Sequence, residues 1–215
     1  MSRFRMNSWT FPVTTLGLVV MLAFPACERK STREEQTPTS FEEELLQERR
    51  QKDAVFRSGA QSPLPSAEKL SFTGLNYYPP NPALRFRVKL HRYPTPRTIR
   101  LGTNTGEIQS GLRYGYFEFE VVGVMCRLQV YRMDDTPAEG GPLLFIPFKD
   151  ATSGSETYAA GRYIDLRENT SGIYDLDFNR AFNPYCAYGK GSSCPVPPEE
   201  NRLAVLIRAG EKKYE

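Results

Sequence analysis

Polar and apolar residues alternate with a period of two through much of the chain after residue 85. In RFRVKLH, Phe86, Val88 and Leu90 fall on one face and Arg85, Arg87, Lys89 and His91 on the other, the pattern of a half-buried strand. YGYFEFEVVGVMCRLQVYRM predicts a hairpin. Phe117, Phe119 and Val121 point one way and Glu118 and Glu120 the other; beyond Gly123, Cys126, Leu128 and Val130 face in, with Arg127 and Gln129 out. PLLFIPF is continuously apolar and reads as a buried strand. RYIDL and IYDLDF, joined by RENTSG, predict another hairpin, which if symmetric sets Arg162 across from Asp177. RLAVLIR reads as a last strand, and YYPPNP as a rigid turn. With turn signals between six or more short strands and no helical crossover, the expected fold is mainly β. The pattern fits an antiparallel β-sandwich or barrel-like domain preceded by one N-terminal helix.

That helix is expected at 41–57. Ser40 stands where a cap belongs, acidic residues fill the first turn, Phe41, Leu45, Leu46, Val55 and Phe56 form a narrow apolar stripe, and SPLP stops it. Upstream, residues 1–27 have the three-part plan of an export signal: Arg3 and Arg5, an apolar run from Val13 to Phe24, then Pro25, Ala26 and Cys27. The run is too short to span a membrane, which takes about 18 or more apolar residues. A small residue before a Cys resembles a bacterial lipoprotein signal, with Cys27 the lipidated N-terminus, although Phe24 and Pro25 depart from the usual pattern. Residues 28–40 are polar and read as a flexible tether, which leaves 58–215 for the β domain. The expected location is the bacterial cell envelope, periplasmic or at the outer membrane, with the lipid anchor as the membrane contact.

Composition narrows the chemistry. The net charge of +3 falls to about +1 once Arg3 and Arg5 leave with the signal, too small an excess to point to nucleic acid. Six Lys or Arg and no acid lie in 85–100, which reads as a solvated strand face. His91 is the single histidine, so a His-rich metal site is excluded and any Ser–His or Cys–His machinery has to use it. No metal or other cofactor is expected.

The densest group of hydrogen-bonding side chains is FKDATSGSETYAAGRYIDL, residues 148–166, within which 149–161 form a long connection. Asp150, Glu156 and Asp177 are candidate carboxylates for acid–base catalysis, with Thr152, Tyr158, Arg162, Asn179 and Asn183 as candidate ligand-binding groups. The competing reading is that the loop's acids and hydroxyls bond its own backbone. Asp175, Asp177 and Asn179 begin like a calcium loop, but Arg180 replaces the required Gly and Cys186 stands where a bidentate Glu belongs. Cys186 and Cys194 have no second ligand pair nearby; outside the cytoplasm they read as a disulfide, with redox activity as the alternative. SAEK lacks the companion motifs of a serine acyl-enzyme, and NTS at Asn169 matters only where glycosylation occurs.

The stretch 148–166, together with LDFNRAFNPYCAYGKGSSCPVPPEENRLAVLIRAGEK, SPLP, FTGLNYYPPNPALRF and YGYFEFEVVG, resembles the bacterial family known as domain of unknown function 1684, over about residues 50–213. The resemblance places Asp150, Thr152, Glu156, Tyr158, Gly161, Arg162, Asp177, Asn179, Asn183, Cys186, Cys194, Glu199 and Asn201 in the family pattern. It implies no established activity. Two functions are therefore carried forward. The first is an envelope lipoprotein whose β domain binds a small polar ligand, glycan or partner protein. The alternative is a hydrolase using Asp150, Glu156 or Asp177 with Tyr158 and Arg162.

Overall fold

The computed structural model describes residues 40–133, 142–189 and 191–214. The expected export signal, Cys27 and all of the expected tether except Ser40 lie outside the described residues. Helix α1 (Phe41–Ser58) starts at a capping box: Ser40 Oγ accepts from the Glu43 amide and the Glu43 carboxylate accepts from the Ser40 amide. Glu42, Glu43 and Glu44 in the first turn and Arg57 in the last complement the helix dipole. Its inner face presents Leu45, Arg49 and Phe56, and Phe56 packs in an apolar cluster with Leu64, Phe72, Leu75 and Tyr188.

Seven strands follow: β1 (Arg85–Lys89), β2 (His91–Gly102), β3 (Ile108–Val121), β4 (Val124–Met133), β5 (Leu143–Phe148), β6 (Arg162–Arg167) and β7 (Ile173–Asp177). They form two antiparallel sheets, β1–β7 and β2–β3–β4–β5–β6. The larger sheet is open, with β2 and β6 at its edges, so the domain is not a closed barrel. One apolar core joins the sheets: Val88, Tyr174 and Leu176 from the small one meet Phe117, Phe119, Leu128, Val130, Leu144, Ile146, Phe148 and Ile164 from the large one. On the opposite face, Leu101, Tyr131, Phe145 and Tyr163 make a second cluster. β5 is therefore apolar at consecutive positions because both its faces are covered.

The β3–β4 hairpin has the expected register, Phe117 opposite Leu128, Phe119 opposite Cys126 and Glu118 opposite Arg127. Four other expectations are corrected. Gln129 is buried, because Asn201 bonds its backbone on both sides and Tyr93 donates to its side chain. The basic run 85–100 is not one strand face: the chain leaves β1 at Leu90 and enters β2 in the other sheet, and Arg85 and Arg92 pair with Asp175 and Glu168.

β6 and β7 do not form a hairpin. Arg162 lies opposite Phe148 in β5, and Asp177 lies opposite Arg85 in β1. Asn169 drives the change of sheet: its side chain accepts from the Gly172 amide and donates to the Ile173 carbonyl, and Gly172 sits at φ 67°. RLAVLIR makes only an isolated bridge, Lys149 with Arg202, and no strand. The last segment is extended and buries Leu203, Ile207 and Ala209; Leu203 and Val205 bond the backbone of Lys149 and Ala151, and beyond them side chains hold it at Ile207.

Candidate ligand-binding site

Those side chains belong to the 149–161 loop and the strand after it. Arg162 is fully buried. Its Nη1 donates to the carbonyls of Ala209 (2.5 Å) and Glu211 (3.1 Å), and its Nη2 to the Ile207 carbonyl (2.8 Å) and to Asp150 Oδ1 (3.3 Å). Asp150 completes the tie by accepting from the Ile207 amide at 2.7 Å and from the Thr152 hydroxyl at 2.8 Å. Burial pulls the Arg162 guanidinium below its ordinary pKa, and the Asp150 carboxylate opposes that shift. An arginine and an aspartate thus take over the fastening of the last segment where its short backbone pairing with residues 149–151 ends. Gly161 is required where the loop returns: at φ 106°, a Cβ there would lie 2.6 Å from the Phe148 carbonyl oxygen.

The other candidate carboxylates are also engaged. Glu156 accepts a two-pronged contact from Arg208 (3.0 and 2.7 Å) and a hydrogen bond from Tyr78 (3.0 Å); Arg208 holds its carboxyl below the usual range. Asp177 caps a short turn, accepting from the Asn179 amide and side chain at 2.9 and 2.8 Å and from Arg180 at 2.7 Å. Asn179 then clamps both the amide and carbonyl of Asn81. Asn183 donates its amide to Glu211 and its side chain to the Lys212 carbonyl. Thr152 is buried against Asp150 and Thr157. The structure thus gathers Asp150, Thr152 and Arg162 into one interior tie, and gives Glu156 and Asp177 partners of their own.

Tyr158 lies against the cysteines, its hydroxyl 3.8 Å from Cys186 Sγ. Cys186 and Cys194 are free thiols in this structure, with the Cys186 amide donating to Cys194 Sγ at 3.4 Å. Burial, reinforced by Cys194, pushes the Cys186 thiol up to about 11, which disfavours a reactive thiolate. Among the described residues, no three His, Cys, Asp or Glu side chains converge as metal ligands. His91 stacks on Tyr116 at 4.9 Å.

Open space lies elsewhere. A cavity of about 500 Å³ is lined by Lys52 of α1, Tyr163 and Asp165 of β6, Phe182, Pro184, Tyr185 and the run Ser192–Pro195. Tyr163 is fixed by donating its hydroxyl to the Pro195 carbonyl and by an edge contact with Phe182. Asp165 is exposed at the rim of the cavity, and partial desolvation by the surrounding chain pushes its carboxyl up to about 6. Lys52 Nζ lies 2.5 Å from Glu211 Oε1 and 5.0 Å from the centre of the Phe182 ring. A second cavity of about 200 Å³ shares Lys52 and Phe182 and adds Arg49, Tyr77, Asn179 and Glu211. Aromatic walls with a few converging polar groups suit a small ligand that has an apolar face and hydrogen-bonding edges.

Of the residues singled out in the sequence, Cys194 lines the larger cavity and Asn179 the smaller. The rest of the lining has no catalytic or ligand-binding role in the sequence reading. One signal was present: Arg49 and Lys52 fall between Leu45 and Phe56 at helical spacing, on the inner face of α1.

Comparison with known proteins adds kinship without an activity. The solution NMR structure of an uncharacterized protein of Haloarcula marismortui, from gene locus rrnAC0354, is similar at 35% identity and a TM-score of 0.61, covering 79% of this chain and 92% of that one. No curated protein matches. The family described as "Protein of unknown function (DUF1684)" matches residues 70–212, a span that includes both sheets and the Asp150–Arg162 tie, and the chain belongs to that family.

Proposed function

We propose that this protein is an exported envelope lipoprotein, anchored through lipid on Cys27, whose β domain binds a small polar ligand such as a glycan unit in the cavity of about 500 Å³. The observation that carries the binding reading is the cavity wall. Tyr163, Phe182 and Tyr185 offer apolar faces, while Asp165, Ser192 and Ser193 offer hydrogen-bonding groups around the same space. The hydrolase reading has less support, since Asp150, Glu156 and Asp177 each already accept hydrogen bonds from arginine. Export rests on the cationic and apolar pattern of residues 1–27. No helix among the described residues is long and apolar enough to cross a membrane, and attachment in this reading is by acyl chains.

In an oxidising compartment, Cys186 and Cys194 would pass two electrons and two protons to a disulfide-bearing oxidant and form the expected bond. That bond would brace the loop that carries Ser192 and Ser193. Mass spectrometry of alkylated protein from the envelope checks it: neither thiol is expected to react.

A thermal-shift series with envelope saccharides tests the binding reading. A saccharide is expected to raise Tm in the wild type and in Glu156→Gln but not in Tyr185→Ala, a residue that is 50% exposed. Failure of every saccharide and cell-wall fragment to move Tm would contradict it. Absence of a fatty-acid label on Cys27 in growing cells would remove the anchor.

A further inference from the structure

We infer that the smaller cavity, beneath α1, is an anion site that receives the carboxylate of the ligand, with Arg49 as the receiving group. The inference rests on the reading of these cavities as a ligand site and adds the chemical class of the ligand. Arg49 is only 8% exposed, and among the described residues no carboxylate contacts it. Its Nη1 donates to the Tyr78 carbonyl at 2.8 Å, its Nη2 reaches the Asn179 carbonyl only at 3.5 Å, and its Nε has no partner. A buried guanidinium without a counter-ion is an energetically poor arrangement. Burial accordingly pulls its pKa down, and Glu211, Asp177 and Asp53 oppose that only from a distance.

The neighbouring carboxylates are already engaged. Lys52 pairs with Glu211, and Arg180 pairs with Glu44, Glu48 and Asp177. None of these carboxylates reaches Arg49, so its guanidinium has no direct counter-ion. The free side of Arg49 is the Nε–Nη2 edge, whose two parallel N–H groups match the two oxygens of a carboxylate. Tyr77 supplies a second unmet group. Its ring covers the guanidinium at 4.5 Å, its buried hydroxyl has no partner, and burial together with Glu211 raises its pKa so that it stays a donor. A phosphate dianion would bring a second negative charge toward Glu48 and Glu211, which line the same space. Lys52 and Phe182 are common to both cavities, so a ligand whose body lies in the larger one has its acidic group directed here.

Sodium benzoate, benzyl alcohol and sodium phosphate, each titrated against the full chain at constant ionic strength, test the assignment. Benzoate is expected to raise Tm by about 5–10 °C at a hundredfold excess over its Kd, and benzyl alcohol and phosphate by much less. In the wild type, benzoate is also expected to shift the Arg49 Nε–H resonance, a readout that needs no variant. Arg49→Met should weaken benzoate at least ~30-fold, the loss of a charge-assisted, two-bond contact, and Tyr77→Phe by several-fold. Benzoate binding that survives Arg49→Met, an unmoved Nε–H signal, or equal shifts from benzyl alcohol or phosphate would overturn the inference. If saccharides bind through Tyr185 while benzoate does nothing, the carboxylate assignment fails and the binding reading stands. If nothing binds, both fail.

Discussion

Arg162 and Arg49 are the same residue type in the same domain, both withdrawn from water, with opposite surroundings. Arg162 has a carboxylate partner and three carbonyl acceptors. Arg49 has one good carbonyl contact, one marginal one and no carboxylate. A guanidinium enclosed by its own chain spends its hydrogen-bonding capacity on the fold; one left incomplete beside a cavity has capacity for something else. The comparison also separates two regions. The loop that looks most like an active site in sequence is a fastening, and the space for a ligand lies between α1, the outer edge of β6 and the cysteine-bearing segment.

Breaking the fastening should have the largest effect. Asp150→Ala leaves Arg162 charged and buried and removes the acceptor for the Ile207 amide, so a loss of about 3–5 kcal/mol is expected in urea unfolding. A loss below about 1 kcal/mol would mean that the tie is not structural. Asp165→Asn should act in a pH-dependent way. The folded-state pKa is raised to about 6, so the folded protein holds this proton more tightly than the unfolded chain. Stability therefore falls as pH rises from about 4 through 6. Asn avoids the charge, so the variant should gain Tm at pH 7–8 and match the wild type near pH 4; a gain independent of pH would place the cause elsewhere. Glu156→Gln, which weakens a solvent-facing contact with Arg208, should leave the unfolding midpoint close to that of the wild type. A large drop in the midpoint would move Glu156 into the same class as Asp150.

The regular elements were legible because local pattern and environment agreed. The capping box at Ser40 and Glu43 marks the start of α1, and alternation across Gly123 sets the register of β3 and β4. The misreadings have separate physical causes. RLAVLIR has strand-like residues, but it meets only the 149–151 backbone, and the Ile207 carbonyl and amide bond to the Arg162 and Asp150 side chains, 45 and 57 positions away in the chain. RYIDL and IYDLDF look like a hairpin, but the Asn169 turn sends β7 to the other sheet. The candidate site was less legible. Asp150 and Arg162 were recognised as noteworthy, yet only burial distinguishes a tie from an active site. Arg49 and Lys52 read as charges on a polar helix until their spacing with Leu45 and Phe56 is taken into account.

The most direct measurement is urea unfolding of the wild type, Arg162→Met and Arg49→Met in one buffer without ligand. Met keeps most of the side-chain volume and removes the charge. Arg162→Met strands the Asp150 carboxylate in the interior and should lose about 3–5 kcal/mol, whereas Arg49→Met strands no carboxylate and should stay within about 1 kcal/mol of the wild type or exceed it. Equal losses would contradict the distinction between an arginine that holds the fold through a carboxylate and one that has no carboxylate and awaits a ligand.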